Sequence, residues 1–357
     1  MLKHCRALTA SALLILSLVI FSIGLQPSVL AQEIPAQAVS IDGDHATRIA
    51  TSSPDATAQA VAGDTDFYRR DAGQDWMRTG EAPGEGVVVF AADDPDLALT
   101  GDHPPCLRGG EATALTRTED GGVNWTAVDG ATQIRPLAVW AETGVAIGSS
   151  CAGFMLSTDR GLTWSGIDAV EPGFEITAFA VVGEPTGTSG PVILFGETSE
   201  GGSSRLRTVD LTDPSGPIVS GVLREYYGVA GLAGRGDSFA VAAIDGVWAS
   251  VDAGHTWTRT ADGLDAVVLA EDPAVAGLPA NVAMDEIGLF AIVFLPGTEG
   301  GLAVGSAAGL YLSQSAGAVW VAAGGIAARV DQVVVAEGDN RLLLRSNDTV
   351  LEITLDG

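Results

Sequence analysis

Arginine and glutamate alternate along this chain at intervals of a few tens of residues: Arg48, Glu85, Arg135, Glu175, Arg224, Glu286 and Arg329. The guanidinium group is a planar, permanently charged fork that suits carboxylate or phosphate. If repeated elements bring these side chains to one rim, two chemistries follow. One is an anion-binding site, in which arginines hold a ligand's acidic group. The other is a ring of ion pairs that fixes neighbouring elements and binds nothing. Alternation cannot close around an odd number of elements, so Arg48 and Arg329 would meet as a like-charged pair. A second constellation, Glu225-Tyr226-Tyr227, supplies a phenol nucleophile beside a carboxylate base on paper. Adjacent strand residues point to opposite faces, so Tyr226 and Tyr227 read better as packing residues.

Other candidates carry less chemistry. Asp93-Asp94-Pro95-Asp96 lacks the regular spacing of a calcium loop and reads as a solvated turn. His45, His103 and His255 are far apart in sequence, which does not predict a zinc site. Asn124-Trp-Thr and Asn347-Asp-Thr match the glycosylation sequon, a short match expected by chance. The sequence predicts neither a metal nor a cofactor.

The first 31 residues have the composition of a targeting segment. Lys3 and Arg6 precede an apolar stretch centred on Leu13 to Ile23, and Val29-Leu30-Ala31 fits cleavage at small residues. The stretch is long for a cleaved signal, which leaves an uncleaved N-terminal anchor as the alternative. The remaining chain, 32–357, is ample for one large core. Removing Lys3 and Arg6 from 18 basic residues leaves 16 against 45 Asp and Glu, a formal charge of −29. Such a chain is repelled by nucleic acid and by anionic membrane. Two cysteines remain, Cys106 and Cys151, and an even pair in an exported chain predicts a disulfide. The localisation read from these features is secreted or extracytoplasmic.

The elements that must position these side chains come from a repeat. Five short motifs recur: Asp71 to Trp76, Asp120 to Trp125, Asp159 to Trp164, Asp252 to Trp257 and Ser315 to Trp320. Each has Gly two residues after its first residue and Trp three after that, and all but one have Ser or Thr two residues before it. Recurrence at this interval signals a repeat architecture. A short carboxylate accepts bonds from backbone N–H groups of its own turn. Glycine supplies positive φ, and tryptophan fills space between stacked sheets.

The motif resembles the Asp-box, or bacterial neuraminidase repeat, of sialidases, sortilin-type receptors and photosystem II assembly-factor propellers. In that family it forms the turn between the third and fourth strands of a propeller blade. The resemblance therefore gives Asp71, Trp76, Asp120, Trp125, Asp159, Trp164, Asp252, Trp257, Ser315 and Trp320 a structural role, each Trp packed between blades. Sialidase chemistry would need three arginines for a substrate carboxylate, a Tyr–Glu nucleophile pair and an acid. The family's Arg-Ile-Pro signature is absent, and Ile134-Arg135-Pro136 has the wrong order.

Counting elements gives an all-β fold: a single propeller of seven four-stranded blades, with six as the alternative. Third strands open on Gly153, Gly246 and Gly309. Two blades lack the motif, at Ile176 to Val219 and at the C-terminus, where Val333 to Ala336, Leu342 to Arg345 and Val350 to Leu355 leave one strand missing. Ala38 to Ile41 is predicted to supply it and close the ring. Cys106 and Cys151 then fall in equivalent loops of neighbouring blades. The stretch Asp265 to Glu286 is a long insertion, more often functional or disordered than neutral. The functional reading is a secreted, monomeric, non-catalytic binding or assembly module that recognises a protein or glycan on the face opposite the motif turns. Arg48, Arg135, Arg224, Arg329 and Tyr226 are the candidate ligand-binding residues. The alternatives are a sialidase-like glycoside hydrolase and a propeller similar to the photosystem or membrane-complex assembly factors.

Overall fold

Strands of two to ten residues, rich in Val, Ile, Phe and Ala and separated by Gly and Asp turns, build seven antiparallel blades around a hub. The computed structural model describes residues 32–33, 36–39, 46–51, 58–71, 74–84, 86–103, 113–167, 170–184, 190–199, 203–213, 216–264, 288–336 and 340–355. Residues 1–31 lie outside them, as do Glu85, Glu286, His45, Cys106 and the insertion 265–286. Every regular element among the described residues is a strand.

Two short strands come first, β1 (Gln32–Glu33) and β2 (Ala36–Ala38). Blade 1 is β3 (Ala46–Thr51), β4 (Ala58–Gly63), β5 (Asp66–Asp71) and β6 (Met77–Glu81). Blade 2 is β7 (Val87–Phe90), β8 (Ala98–Gly101), β9 (Ala114–Thr118) and β10 (Thr126–Thr132). Blade 3 is β11 (Arg135–Val139), β12 (Ala146–Ser150), β13 (Gly153–Ser157) and β14 (Ser165–Ile167). Blade 4 is β15 (Phe174–Gly183), β16 (Val192–Ser199) and β17 (Ser203–Asp210), with its outer position divided between β18 (Ile218–Val219) and β19 (Arg224–Tyr227). Blade 5 is β20 (Val229–Arg235), β21 (Ser238–Ala243), β22 (Gly246–Ser250) and β23 (Thr258–Thr260). Blade 6 is β24 (Leu289–Phe294), β25 (Leu302–Ser306), β26 (Gly309–Ser313) and β27 (Val321–Gly324). Blade 7 is β28 (Gln332–Ala336), β29 (Arg341–Ser346) and β30 (Thr349–Thr354), completed by β2.

The ring closes through the N-terminal segment, as the missing strand requires. Ala36, Gln37 and Ala38 pair with Ile353, Glu352 and Leu351. The strand lies a little earlier than the predicted Ala38 to Ile41. Just past it, Val39 leaves the ladder after donating its N–H to Val350 O at 3.0 Å, and it buries its side chain in the joint between blades 7 and 1. The preceding β1 adds a parallel strand to the outer edge of blade 6, Gln32 opposite Ala323. One short segment thus straps two blades.

The core is divided among the joints between blades. The joint of blades 3 and 4 packs Phe154 edge-on to Phe195 at 5.0 Å between centroids, with Ile147, Ile193 and Val209 around them. Separate apolar clusters fill the joints of blades 4 and 5, 5 and 6, 6 and 7, 7 and 1, and 1 and 2. Middle strands such as β8 and β25 are buried at every position, because a blade presses on each face. Outer strands such as β14 and β23 are largely exposed.

The five motifs form the turns that follow β5, β9, β13, β22 and β26. In the turn after β22, Asp252 accepts hydrogen bonds from Ser250 Oγ at 2.8 Å, Thr256 N at 2.8 Å and Thr256 Oγ1 at 2.6 Å. Ser250 Oγ in turn accepts Gly254 N at 2.9 Å. Asp159 with Ser157 and Thr163, and Asp120 with Thr118 and Asn124, repeat this arrangement. In the fifth copy the hydroxyl of Ser315 replaces the carboxylate and accepts Val319 N at 3.1 Å. In the first, Arg69 stands where the others have Ser or Thr, and its Nε donates to Asp71 at 2.8 Å. Gly122 needs its missing Cβ twice over: its φ is +91° and a Cβ would lie 2.3 Å from the ring of Phe67 in the preceding blade.

Each motif tryptophan reaches back to the preceding blade, but the depth of burial varies. Trp320 is 2 % exposed, whereas Trp76, Trp125, Trp164 and Trp257 are half-buried. Trp125 meets Phe67 edge-on at 5.4 Å, and Trp257 meets Tyr226 at 6.2 Å.

The turns give the fold an acid limit. Hydrogen bonds from Thr256 and Ser250 hold the Asp252 carboxyl down at about 2. At Asp159 and Asp120, burial pushes the carboxyl up, but the hydrogen bonds outweigh it and the net shift is downward. A carboxyl whose folded pKa lies below its unfolded value stabilises the fold above the unfolded pKa, and that contribution is lost as pH falls through the folded one. Asp252→Asn should therefore melt with a shallower pH dependence than the wild type between about pH 4 and pH 2. Superimposable acid limbs in the two proteins would show that Asp252 does not set this limit.

Candidate functional site

The inner strands of six blades, β3, β11, β15, β20, β24 and β28, enclose a central cavity of about 300 Å³. Its polar side chains are Arg135, Ser149, Thr177, Asp331 and Gln332, and its apolar walls include Ile49, Leu137, Phe179, Leu232, Phe290 and Ile292. Arg135 is the first residue of β11 and pairs across the strand with Ser149. Ser149 Oγ lies 3.3 Å from His103 Nε2. Thr177 Oγ1 is 2.9 Å from Thr198 Oγ1, which is 2.7 Å from Ser204 Oγ, so hydroxyl groups run outward from the cavity across blade 4.

The four candidate arginines have different surroundings. Arg48, on β3, donates to the carbonyls of Gly86 and of Gly84, the latter at 2.6 Å, and so ties blade 1 to the start of blade 2. Arg329 stacks on Phe290 of blade 6, 4.0 Å from guanidinium carbon to ring centroid. It also lies 3.8 Å from Asp331. Arg48 and Arg329 belong to the adjacent blades 1 and 7, but one reaches toward blade 2 and the other toward blade 6. That divergence, with the carbonyls, ring and carboxylate they meet, relieves their repulsion. No bound anion is required.

Arg224 requires a correction. The alternating series places it at the start of an inner strand, but it lies on β19, the outer edge of blade 4, paired with Leu206. Its guanidinium carbon is 3.6 Å from the Trp248 ring centroid. Tyr226 shares that edge. Its ring meets Trp248 at 5.9 Å and Trp257 at 6.2 Å, and its hydroxyl is buried without a hydrogen-bond partner. Burial pushes the Tyr226 phenol well above its ordinary pKa, so it is a poor nucleophile near neutrality. Glu225 is exposed on the opposite face of the strand.

Arg135 differs from the other three in lining the central cavity. A buried Nε without a hydrogen-bond partner is a feature it shares with Arg48 and Arg224. Among the described residues the Arg135 side chain has no ion-pair partner. The nearby Asp331 is occupied: Arg345 Nε and Nη2 each donate to it at 2.8 Å. Gln332 Oε1 accepts Ile49 N at 3.1 Å and locks blade 7 to blade 1. Sequence reasoning singled out Arg135 and missed Ser149, Thr177, Asp331 and Gln332, whose common address exists only once the blades are arranged. The sequence signal available for Asp331 was its position two residues after Arg329 at the start of an inner strand.

Glu197, fully buried on β16, is a further charged site. It accepts Arg205 Nε at 2.6 Å and Arg207 Nη1 at 3.3 Å in the joint of blades 3 and 4. Among the described residues no cluster of three or more His, Cys, Asp or Glu is placed to hold a metal, and no helix is long and apolar enough to cross a membrane.

No family model and no curated protein matches the chain. Among solved structures it is similar to the GH74 xyloglucanase of Xanthomonas campestris, with a TM-score of 0.52 and 15 % identity over 84 % of this chain and 50 % of that one. It is also similar to the WD40 β-propeller domain of Doa1, with a TM-score of 0.55 and 14 % identity over 90 % of this chain and 98 % of that domain. The chain thus spans half the length of the xyloglucanase. At these identities the likeness is one of fold, and the fold is that of a seven-bladed β-propeller.

Proposed function

We propose that this protein is an exported, non-catalytic binding propeller of Asp-box type. Its partner, a protein or a glycan with an acidic group, docks on the face where the inner strands begin and presents that group to Arg135. The observation that carries this reading is the buried, unpartnered Nε of Arg135 at the central cavity. A guanidinium donor left without a partner is costly, and an incoming anion satisfies both its charge and its hydrogen bonds. The motif turns, with carboxylate and hydroxyl closing on backbone N–H groups, support the Asp-box assignment. The packing of Tyr226 among aromatic rings supports binding over sialidase-type hydrolysis.

A melting series with acetate, citrate and phosphate at constant ionic strength, a gain from any one of them sufficing, tests the reading. A ligand at about 100 times its Kd stabilises the folded state by about 2.7 kcal/mol. The wild type should gain this stabilisation and Arg135→Ala should lose it, while Arg329→Ala keeps the gain from a lower starting point. Equal gains in wild type and Arg135→Ala would refute the site.

The export half of the proposal includes a Cys106–Cys151 disulfide. Cys151 sits exposed in the turn between β12 and β13. Thiol titration of the denatured, unreduced chain should find neither cysteine reactive, and two reactive thiols from this pair would rule the bond out.

A further inference from the structure

The reading of Arg135 as an anion site leaves the kind of anion open, and the cavity narrows it. We propose that the central channel takes a monocarboxylate with a compact apolar body, its carboxylate on Arg135 and its body along the apolar walls; this rests on the binding reading above.

Charge sets the valence. Only Arg135 and Asp331 carry charge among the cavity's side chains, and Asp331 has both oxygens engaged by Arg345. One uncompensated positive charge remains. A dianion would place its second charge beside the Asp331 carboxylate, which repels it and already occupies the cations there, Arg345 and Arg329, in a site partly shielded from water. A monoanion leaves no such remainder.

Geometry favours a carboxylate. The planar guanidinium presents parallel donors that match two coplanar oxygens. Ser149 stands opposite Arg135 in the strand pair, and Thr177 lines the same cavity, so hydroxyl donors are also at hand.

The walls set the body. Leu137, Phe179, Leu232 and Ile292 come from four different blades, so an apolar group in the channel is surrounded on several sides. A polyhydroxylated acid would set several hydroxyls against these walls with few partners, which disfavours it. About 300 Å³ lies at the small end of ligand cavities and fits a short chain or a single ring.

The test is calorimetric titration of the full chain with octanoate, octanamide and N-acetylneuraminate, alongside melting with citrate and phosphate. The expected result is one octanoate bound per chain, with octanamide and N-acetylneuraminate each at least tenfold weaker. Arg135→Gln should weaken octanoate at least tenfold and leave octanamide unchanged. Should that variant fail to fold, the comparison of octanoate with octanamide on the wild type decides alone. Equal affinity for the acid and its amide, or no octanoate binding, overturns the proposal. Arg135-dependent stabilisation by citrate or phosphate without octanoate binding would retain the anion site and reject the apolar body. Failure of all the anions would reject both.

Discussion

Trp320→Ala should lower the stability of the propeller by about 3–5 kcal/mol, a fall in melting temperature of roughly 4–7 °C for a chain of this size. Trp320 is the motif tryptophan buried most completely, at 2 % exposure. Its indole fills the joint of blades 5 and 6 among Leu264, Leu289, Leu302 and Tyr311. Its Nε1 donates to Thr260 Oγ1 at 3.3 Å, and its backbone N donates to Asp262 O at 2.8 Å. Truncation removes the apolar burial and leaves a void that two rigid sheets cannot close. Trp164 is half-buried, so Trp164→Ala should cost less. Melting of both variants, with unfolding followed in denaturant, checks the order. A loss at Trp320 no greater than that at Trp164 would mean that burial in the joints does not set the contribution of these residues.

The second large effect is expected at the closure of the ring. A chain lacking residues 32 to 38 loses the three cross-strand pairs of β2 with β30, and the bare outer edge of blade 7 is left facing solvent. At about 1 kcal/mol net for each backbone hydrogen bond, the ladder contributes roughly 2–4 kcal/mol. It also holds Val39 in the joint of blades 7 and 1. The truncated chain should melt several degrees lower and associate through the exposed edge. Analytical ultracentrifugation and melting read both outcomes. An unchanged melting point with a monomeric profile would show that the ring is closed by side-chain packing alone.

Much of this architecture was legible because turn chemistry is local. Gly153, Gly246 and Gly309 open third strands at φ of +120°, +135° and +121°, a conformation that marks the position by residue type. The motif turns announce themselves through Asp, Gly and Trp at fixed offsets for the same reason. Blade 4 was harder. It lacks the motif, and its outer strand is split at Ser220 to Leu223, so Arg224 read as the start of the next blade. Both an inner strand and a broken outer one are short and rich in aromatic and β-branched residues, and only pairing distinguishes them. The candidate site was legible at Arg135 as a residue type but not as an unpartnered one. Whether a guanidinium is satisfied depends on neighbours from other blades, as the contrast with Arg48 and its Gly84 and Gly86 carbonyls shows.

The strap across blades 6 and 7 also governs when the ring can form. Six blades are made of strands consecutive in the chain, whose hairpins close over short loops. Blade 7 is different: Ala36 must find Ile353, almost the full length of the chain away. Contacts between distant segments wait on loop closure, while local ones do not. The blades can therefore stack in order as the chain lengthens, but the circle stays open until its last strands arrive. Completion of the ring is a single late event, and it waits on the meeting of β2 with β30.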